Sequence, residues 1–307
     1  MSSVSKQRFL NLLSTGIFAN LSPERLENLY HDVRLFMLSS ASTLDTADLY
    51  DMYELQFYLL LLSNRDVEAK LFLDRINDLL AGKKSQKLAV LQSMYWEAVA
   101  DDDTALRCLR DDPNELRASR RLMALSRRNK DREETIPTYI KSLNFYLKLQ
   151  ACDTLVWAEL GDTYHSIGEY EKAVHCYKEV LLQEPAAYNM FYKAGLSLYY
   201  QLLKLMAGKA SRKELMLLGM QTLEHSRDCF LRAVEISESY TKGWVGAYIV
   251  SGSDFLVKLR EDKASSGVAA VERFLMETEK IHQLSKERIM ALENLNTDEE
   301  LEAFLQQ

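Results

Sequence analysis

An all-α fold of stacked antiparallel helix pairs is predicted by three observations on the 307-residue sequence. The chain has only 4 proline and 11 glycine residues, with 47% apolar and 27% charged residues, which is typical of a globular, strongly helical protein. Apolar residues recur at i, i+3, i+4 and i+7, the spacing of one helix face. Equivalent positions return after about 34 residues, the length of one helix–turn–helix unit.

The best-formed unit spans residues 154–187. Two apolar stripes are separated by a turn at a glycine, and a proline follows the second stripe. Small residues lie where the two helices would cross closely, and aromatic residues surround them. This is the tetratricopeptide pattern, and its defining residues are Trp157, Leu160, Gly161, Tyr164, Gly168, Ala173, Tyr177 and Pro185. Because one such pair cannot bury its apolar face alone, the sequence predicts a tetratricopeptide-repeat α-solenoid of stacked pairs.

The other repeats are degenerate but keep the register. The second-helix marker positions are Ala69, Ala105, Tyr139 and Ala173, spaced 36, 34 and 34 residues apart. The next marker, Ser226, follows after 53 residues, and the first-helix positions Phe191 and Trp244 are also 53 residues apart. Both helices therefore predict the same insertion of about nineteen residues, around 204–219.

These patterns divide the chain into six predicted segments. They are an N-terminal helical cap (1–47), degenerate helix pairs (48–153), the well-formed repeat (154–187), a repeat with the ~19-residue insertion (188–240), a terminal repeat with a capping helix (241–292) and a C-terminal tail (293–307). Thr297 and Glu300 form a capping box that predicts a short final helix, which must dock against the chain to be ordered.

The composition argues against several classes of protein. The formal net charge is −7, whereas a nucleic-acid-binding face is basic. The four cysteines show no paired spacing and indicate reduced thiols in a cytosolic protein. No apolar run reaches the ~18 residues of a membrane span, and the N-terminus lacks a signal-peptide core, so we expect a chain that does not span the membrane.

No catalytic or cofactor motif is found. The five histidines never pair at metal-ligand spacing, and neither a glycine-rich phosphate loop nor a nucleophile elbow occurs. His175 and Cys176 are adjacent, but neighbouring residues on a helix point about 100° apart and cannot act together as base and nucleophile. We therefore expect no enzyme activity, no metal and no cofactor.

A basic cluster lies between residues 107 and 132, a stretch that contains nine basic and only four acidic residues. Its core is a helix on which Arg117, Arg120, Arg121 and Arg128 are predicted to share one face. Such a face is either simply solvated or a docking face for acidic partner residues or for anionic lipid, where each basic residue contributes ~1 kcal/mol.

A partner-binding groove is predicted on the concave side of the repeats. The concave positions of the tetratricopeptide geometry are Ala158 and Asp162 in the best repeat, and Tyr192, Leu196, Val245 and Ile249 in the two that follow. A clamp for a terminal carboxylate would need lysine, asparagine and arginine there. The apolar ladder Tyr192, Leu196, Val245 and Ile249 instead predicts either a protein-binding groove or a surface covered by the insertion or the terminal helix.

Several stretches have a familiar pattern: the Asn64–Ala69 segment, the Tyr146–Leu149 segment before the Trp157–Pro185 repeat, the opening at Tyr188-Asn189 and the Tyr240–Trp244 stretch. Together they resemble subunit 2 of the endoplasmic reticulum membrane protein complex, especially its fungal forms. The resemblance spans roughly residues 5–285. It implies a non-catalytic scaffold on the cytosolic face of the endoplasmic reticulum membrane, in an energy-independent insertase for tail-anchored and multi-pass proteins.

As the resemblance implies, the partners would be the cytosolic tails and loops of membrane-embedded subunits, in a hetero-oligomer peripheral to the membrane. The alternative from the residues alone is a soluble tetratricopeptide adaptor or co-chaperone that binds peptide segments transiently. A permanent scaffold has a large apolar interface, whereas a transient adaptor has a polar groove.

Overall fold

The computed structural model describes residues 2–80, 85–109, 115–127, 135–208, 211–261 and 268–305. These residues form α-helices and two short 3₁₀ helices, without a strand, so the prediction of an all-α fold of tetratricopeptide type is confirmed. They divide into two compact units, Met1–Leu149 and Gln150–Gln307.

The first unit contains eight described α-helices. They are α1 (Ser2–Thr15), α2 (Pro23–Ser40), α3 (Thr46–Leu62), α4 (Asp66–Leu79), α5 (Gln86–Ala98), α6 (Asp102–Arg107), α7 (Leu116–Arg127) and α8 (Ile136–Leu149). Helix α3 is central and apolar on nearly every side: Met52, Leu55 and Phe57 are fully buried. Such a helix is stable only when neighbours cover it all round.

Helices α3 and α4 form the first predicted pair. The stripe Ala69, Leu73 and Ile76 is buried against α3, as the i, i+4, i+7 spacing predicts. Helix α3 also begins at a cap, because the Asp45 carboxylate accepts a hydrogen bond of 2.7 Å from the Asp48 amide.

The second unit contains the remaining helices. They are α9 (Thr154–Ser166), α10 (Tyr170–Gln183), α11 (Tyr188–Ala207), α12 (Arg212–Ile236), α13 (Thr241–Ser251), α14 (Asp254–Glu261), α15 (Ala269–Glu293) and α16 (Asp298–Leu305). Helix α9 pairs with α10, α11 pairs with α12, and α13 packs against both α12 and α15. Consecutive antiparallel pairs thus stack within this unit.

The helices at the predicted insertion are longer than those of the preceding pair. Helix α11 has 20 residues where α9 has 13, and α12 has 25 where α10 has 14. The short helix α14 packs on this extension: Phe255 and Leu202 are fully buried in one apolar cluster. A Cβ atom at Gly219 would lie 2.5 Å from the Phe255 ring, so the glycine permits this approach.

The C-terminal helix α16 is docked. The predicted capping box is present, with the Glu300 amide donating to the Thr297 hydroxyl (3.2 Å) and the Glu300 carboxylate accepting from the Thr297 amide (3.4 Å). Leu301 is buried in a cluster with Trp244 and Ile289, which supplies the stability that so short a helix lacks by itself.

Candidate partner-binding surface

The crossing of α9 and α10 places the repeat-defining residues as the pattern requires. Leu160, Gly161, Ala173 and Tyr177 are buried. A Cβ atom at Gly161 would lie 2.6 Å from the Tyr177 ring, so only glycine allows this contact. Of the other defining residues, Trp157 and Tyr164 are half-buried on α9. Gly168 lies in the turn with a φ of 76°, and Pro185 is exposed after the end of α10.

Trp157 and Trp244 show that the first helices α9 and α13 are equivalent. Each indole N–H donates a 2.8 Å hydrogen bond to a backbone carbonyl six residues earlier, on Ala151 and Glu238 respectively. The tryptophan therefore ties the start of each first helix to the preceding loop. Trp157 and Trp244, which the sequence repeat aligns across the predicted insertion, make the same contact.

The four residues predicted to line an apolar groove divide between two clusters. Tyr192 and Leu196 are half-buried against the cluster around Phe230 and Phe255, and the Tyr192 ring meets Phe230 edge-on at 5.6 Å. Val245 is half-buried against the cluster that contains α16. Ile249 remains 43% exposed. Three of these four residues are thus partly buried within the second unit, and Ile249 is the exposed one.

A polar triad joins three helices at Asp162. The Asp162 carboxylate accepts hydrogen bonds from the Tyr177 hydroxyl (2.8 Å) and from the Lys193 ammonium (2.7 and 2.8 Å). Both partners of the ion pair are partly solvated, so the pair contributes modestly to stability. Its chemical consequence is larger: Lys193, next to the predicted groove residue Tyr192 in the sequence, already holds a carboxylate of its own chain. Spacing did not predict this triad, because its members come from three helices.

Three aromatic rings meet where α9, α10 and α11 approach. The His165 ring lies 5.4 Å from Tyr170 and 5.5 Å from Tyr200, and these two tyrosines stack at 5.6 Å. His165 Nδ1 lies 2.8 Å from the Ser197 hydroxyl. Burial lowers the pKa of His165 below its ordinary 6.5, against the opposing charge of Asp162. Burial thus favours the uncharged imidazole, which packs against both tyrosine rings.

The basic face differs from its prediction at one residue. Arg121 is buried: its guanidinium pairs with Glu97, and Nε donates to the Ser93 hydroxyl at 3.2 Å. A buried guanidinium is tolerated because these partners satisfy it, so Arg121 was wrongly assigned to the docking face. Arg117 and Arg120 are exposed. Arg128 lies outside the described residues.

Two of the four cysteines lie in surroundings that disfavour the reactive thiolate. Burial raises the pKa of Cys176 to about 12 and that of Cys229 to about 11, which keeps both as thiols. In the part of the chain that the structure describes, no three acidic, histidine or cysteine side chains gather to hold a metal ion. Within the same residues, none of the helices combines the length and apolarity needed to cross a membrane.

Known proteins support the repeat architecture. A sequence profile of the EMC2 TPR-like repeat domain matches residues 68–202. The C-terminal part of a TPR repeat-containing protein from Cytophaga hutchinsonii superposes with a TM-score of 0.56 at 12% identity, over 90% of this chain and 97% of that structure. This likeness shows the fold alone.

Relatives of similar size include ER membrane protein complex subunit 2 of Saccharomyces cerevisiae, 26% identical over 80% of this chain and 84% of the yeast protein. The TPR repeat protein oca3 of Schizosaccharomyces pombe is 31% identical over 65% of each chain. ER membrane protein complex subunit 2-A of Xenopus laevis is 28% identical over 66% of this chain and 63% of its own length. This chain is therefore similar to the EMC2 TPR-like repeat domain at residues 68–202 and to subunit 2 of the ER membrane protein complex over four-fifths of its length.

Proposed function

We propose that this protein is a non-catalytic scaffold subunit of an endoplasmic reticulum membrane protein complex that inserts tail-anchored and multi-pass proteins. It would lie on the cytosolic face, peripheral to the membrane, and would organise the cytosolic parts of the membrane-embedded subunits. The observation that carries the proposal is the similarity to the yeast subunit, which extends over 80% of this chain and 84% of that protein.

The surface of the second unit supports a scaffold better than a peptide clamp. Lys193, the sequence neighbour of the predicted groove residue Tyr192, is held by Asp162 at 2.7 Å. A free carboxylate of a client would have to displace that internal carboxylate, which disfavours the transient adaptor. Ile249, at 43% exposure beside half-buried Val245, offers apolar contact to a partner instead.

The test is a native affinity purification of the full-length tagged chain from detergent-solubilised membranes. Wild type is compared with Ile249→Asp and with a matched control, Met276→Asp, which changes a 62% exposed residue on α15 in the same chemical way. We expect several integral membrane proteins with wild type and with the control, and loss of at least one with Ile249→Asp.

Two results would contradict parts of the proposal. Wild-type protein found with chaperones in the cytosolic fraction would favour the soluble adaptor. An Ile249→Asp variant that keeps every membrane partner would leave the scaffold role intact and exclude this position from the interface.

A further inference from the structure

Helix α7 carries a charge pattern unlike the rest of this acidic chain. Its sequence, Leu116–Arg127, contains four arginines and no acidic residue. Arg117, Arg120, Ala124 and Arg127 recur at i, i+3, i+7 and i+10, which places them on one face of the helix, and all four are exposed. Arg121 turns inward and leaves this outer face.

Two of these arginines are available to a partner. Arg121 is neutralised by Glu97, just as Arg232 pairs with Glu235 and Arg260 pairs with Glu279. Among the described residues, no carboxylate lies within ion-pairing distance of Arg117 or Arg120. Both arginine side chains are exposed.

The basic residues of this cluster are mostly arginine rather than lysine. Residues 107–132 contain eight of the chain's 19 arginines but only one of its 19 lysines. A lipid headgroup layer attracts both cations alike as point charges. The planar arginine fork holds a carboxylate or a phosphate through two parallel hydrogen bonds, which lysine cannot make, so the arginine content indicates recognition of a defined oxyanion rather than general attraction to surface charge.

We propose that the outer face of α7, formed by Arg117, Arg120 and Ala124, docks an acidic segment of a protein partner. The two guanidinium groups would each hold an aspartate or glutamate side chain, and the small Ala124 between the ends of the stripe would let the partner backbone approach closely. This inference rests on the proposed function, since the acidic segment would belong to one of the partners that the scaffold holds.

The experiment uses the purified full-length chain and two probes. The first is a fluorescein-labelled peptide of glutamate and alanine, followed by fluorescence anisotropy. The second is a set of vesicles made of phosphatidylcholine and phosphatidylserine in equal parts, followed by co-sedimentation. The variants are Arg117→Glu/Arg120→Glu, the charge-conserving Arg117→Lys/Arg120→Lys, and the control Arg25→Glu/Arg34→Glu, which reverses two exposed arginines on α2.

We expect Arg117→Glu/Arg120→Glu to weaken peptide binding roughly tenfold or more, while the α2 control stays near wild type. The lysine variant should also bind measurably more weakly, because it keeps the charge but loses the fork. Helical circular dichroism verifies that each variant is folded.

Three results would overturn the proposal. The first is an equal loss of peptide affinity in Arg117→Glu/Arg120→Glu and in the α2 control. The second is unchanged peptide affinity in the lysine variant, and the third is that Arg117→Glu/Arg120→Glu loses vesicle binding but keeps peptide binding. Because the affinity purification described above is independent of these probes, a chain that still recovers its membrane partners but ignores the acidic peptide would keep the scaffold role and lose only this surface.

Discussion

The contact between Gly161 and Tyr177 gives the sharpest stability prediction. In an open helix, Gly→Ala stabilises by about 1 kcal/mol. At Gly161 the new Cβ would lie 2.6 Å from Cε1 and 2.9 Å from Cδ1 of Tyr177, a ring that is almost wholly buried. Overpacking of this kind costs about 1–3 kcal/mol.

A second effect adds to the clash. The Tyr177 ring cannot move freely, because its hydroxyl donates a 2.8 Å hydrogen bond to Asp162, and a bond to a charged group contributes about 1.5–3 kcal/mol. Displacing the ring weakens that bond. We therefore expect Gly161→Ala to lower the free energy of unfolding by about 1–3 kcal/mol, the reverse of the usual helical effect.

The assay is urea unfolding followed by circular dichroism at the helical band. Gly208→Ala is the matched control, since a Cβ there meets nothing closer than 3.4 Å. The double variant Gly161→Ala/Tyr177→Leu should recover part of the loss, because a smaller side chain relieves the clash. A Gly161→Ala variant as stable as wild type, or more stable, would refute the close approach of α9 and α10.

Three further predictions concern other positions. Because burial lowers the pKa of His165, the unfolded chain binds the proton of this histidine more tightly than the folded chain does. The contribution of neutral His165 to the free energy of unfolding is therefore complete above pH 6.5 and falls as the pH drops below that value. The urea midpoint of wild type should fall more between pH 7.5 and 5.5 than that of His165→Asn. A thiol reagent on the native chain should label the exposed Cys152 first and leave Cys176 and Cys229 unmodified until unfolding; rapid labelling of Cys176 would contradict its burial. Ala100 holds a φ of 65°, so Ala100→Gly should stabilise by about 1 kcal/mol in thermal unfolding, and destabilisation would show that the left-handed backbone is not strained.

The close crossing at Gly161 was predictable from spacing, whereas the polar contacts around it were not. Periodicity identifies which residues face a neighbouring helix, because helical geometry puts i, i+3, i+4 and i+7 on one side. It does not identify which hydroxyl, ammonium or carboxylate groups meet. Asp162, Tyr177 and Lys193 lie on three helices, and only their packing shows that they bond.

The insertion illustrates the same limit. Counting residues predicts about nineteen extra positions, but not their conformation. In the structure α11 and α12 are longer than the preceding pair, and Phe255 of α14 packs against this longer pair. An extra helical turn exposes apolar surface, and whether another element buries it depends on contacts between residues far apart in the chain.

The sequence by itself determined the helix–turn–helix repeat, the positions of its small and aromatic residues and the resemblance to a known family. These features depend on local geometry, which a periodic pattern records directly. Only the tertiary structure decided that Arg121 points inward to Glu97 while Arg117 and Arg120 remain outside. The helical spacing groups all three, but burial of a charge depends on the partner that neighbouring helix α5 supplies.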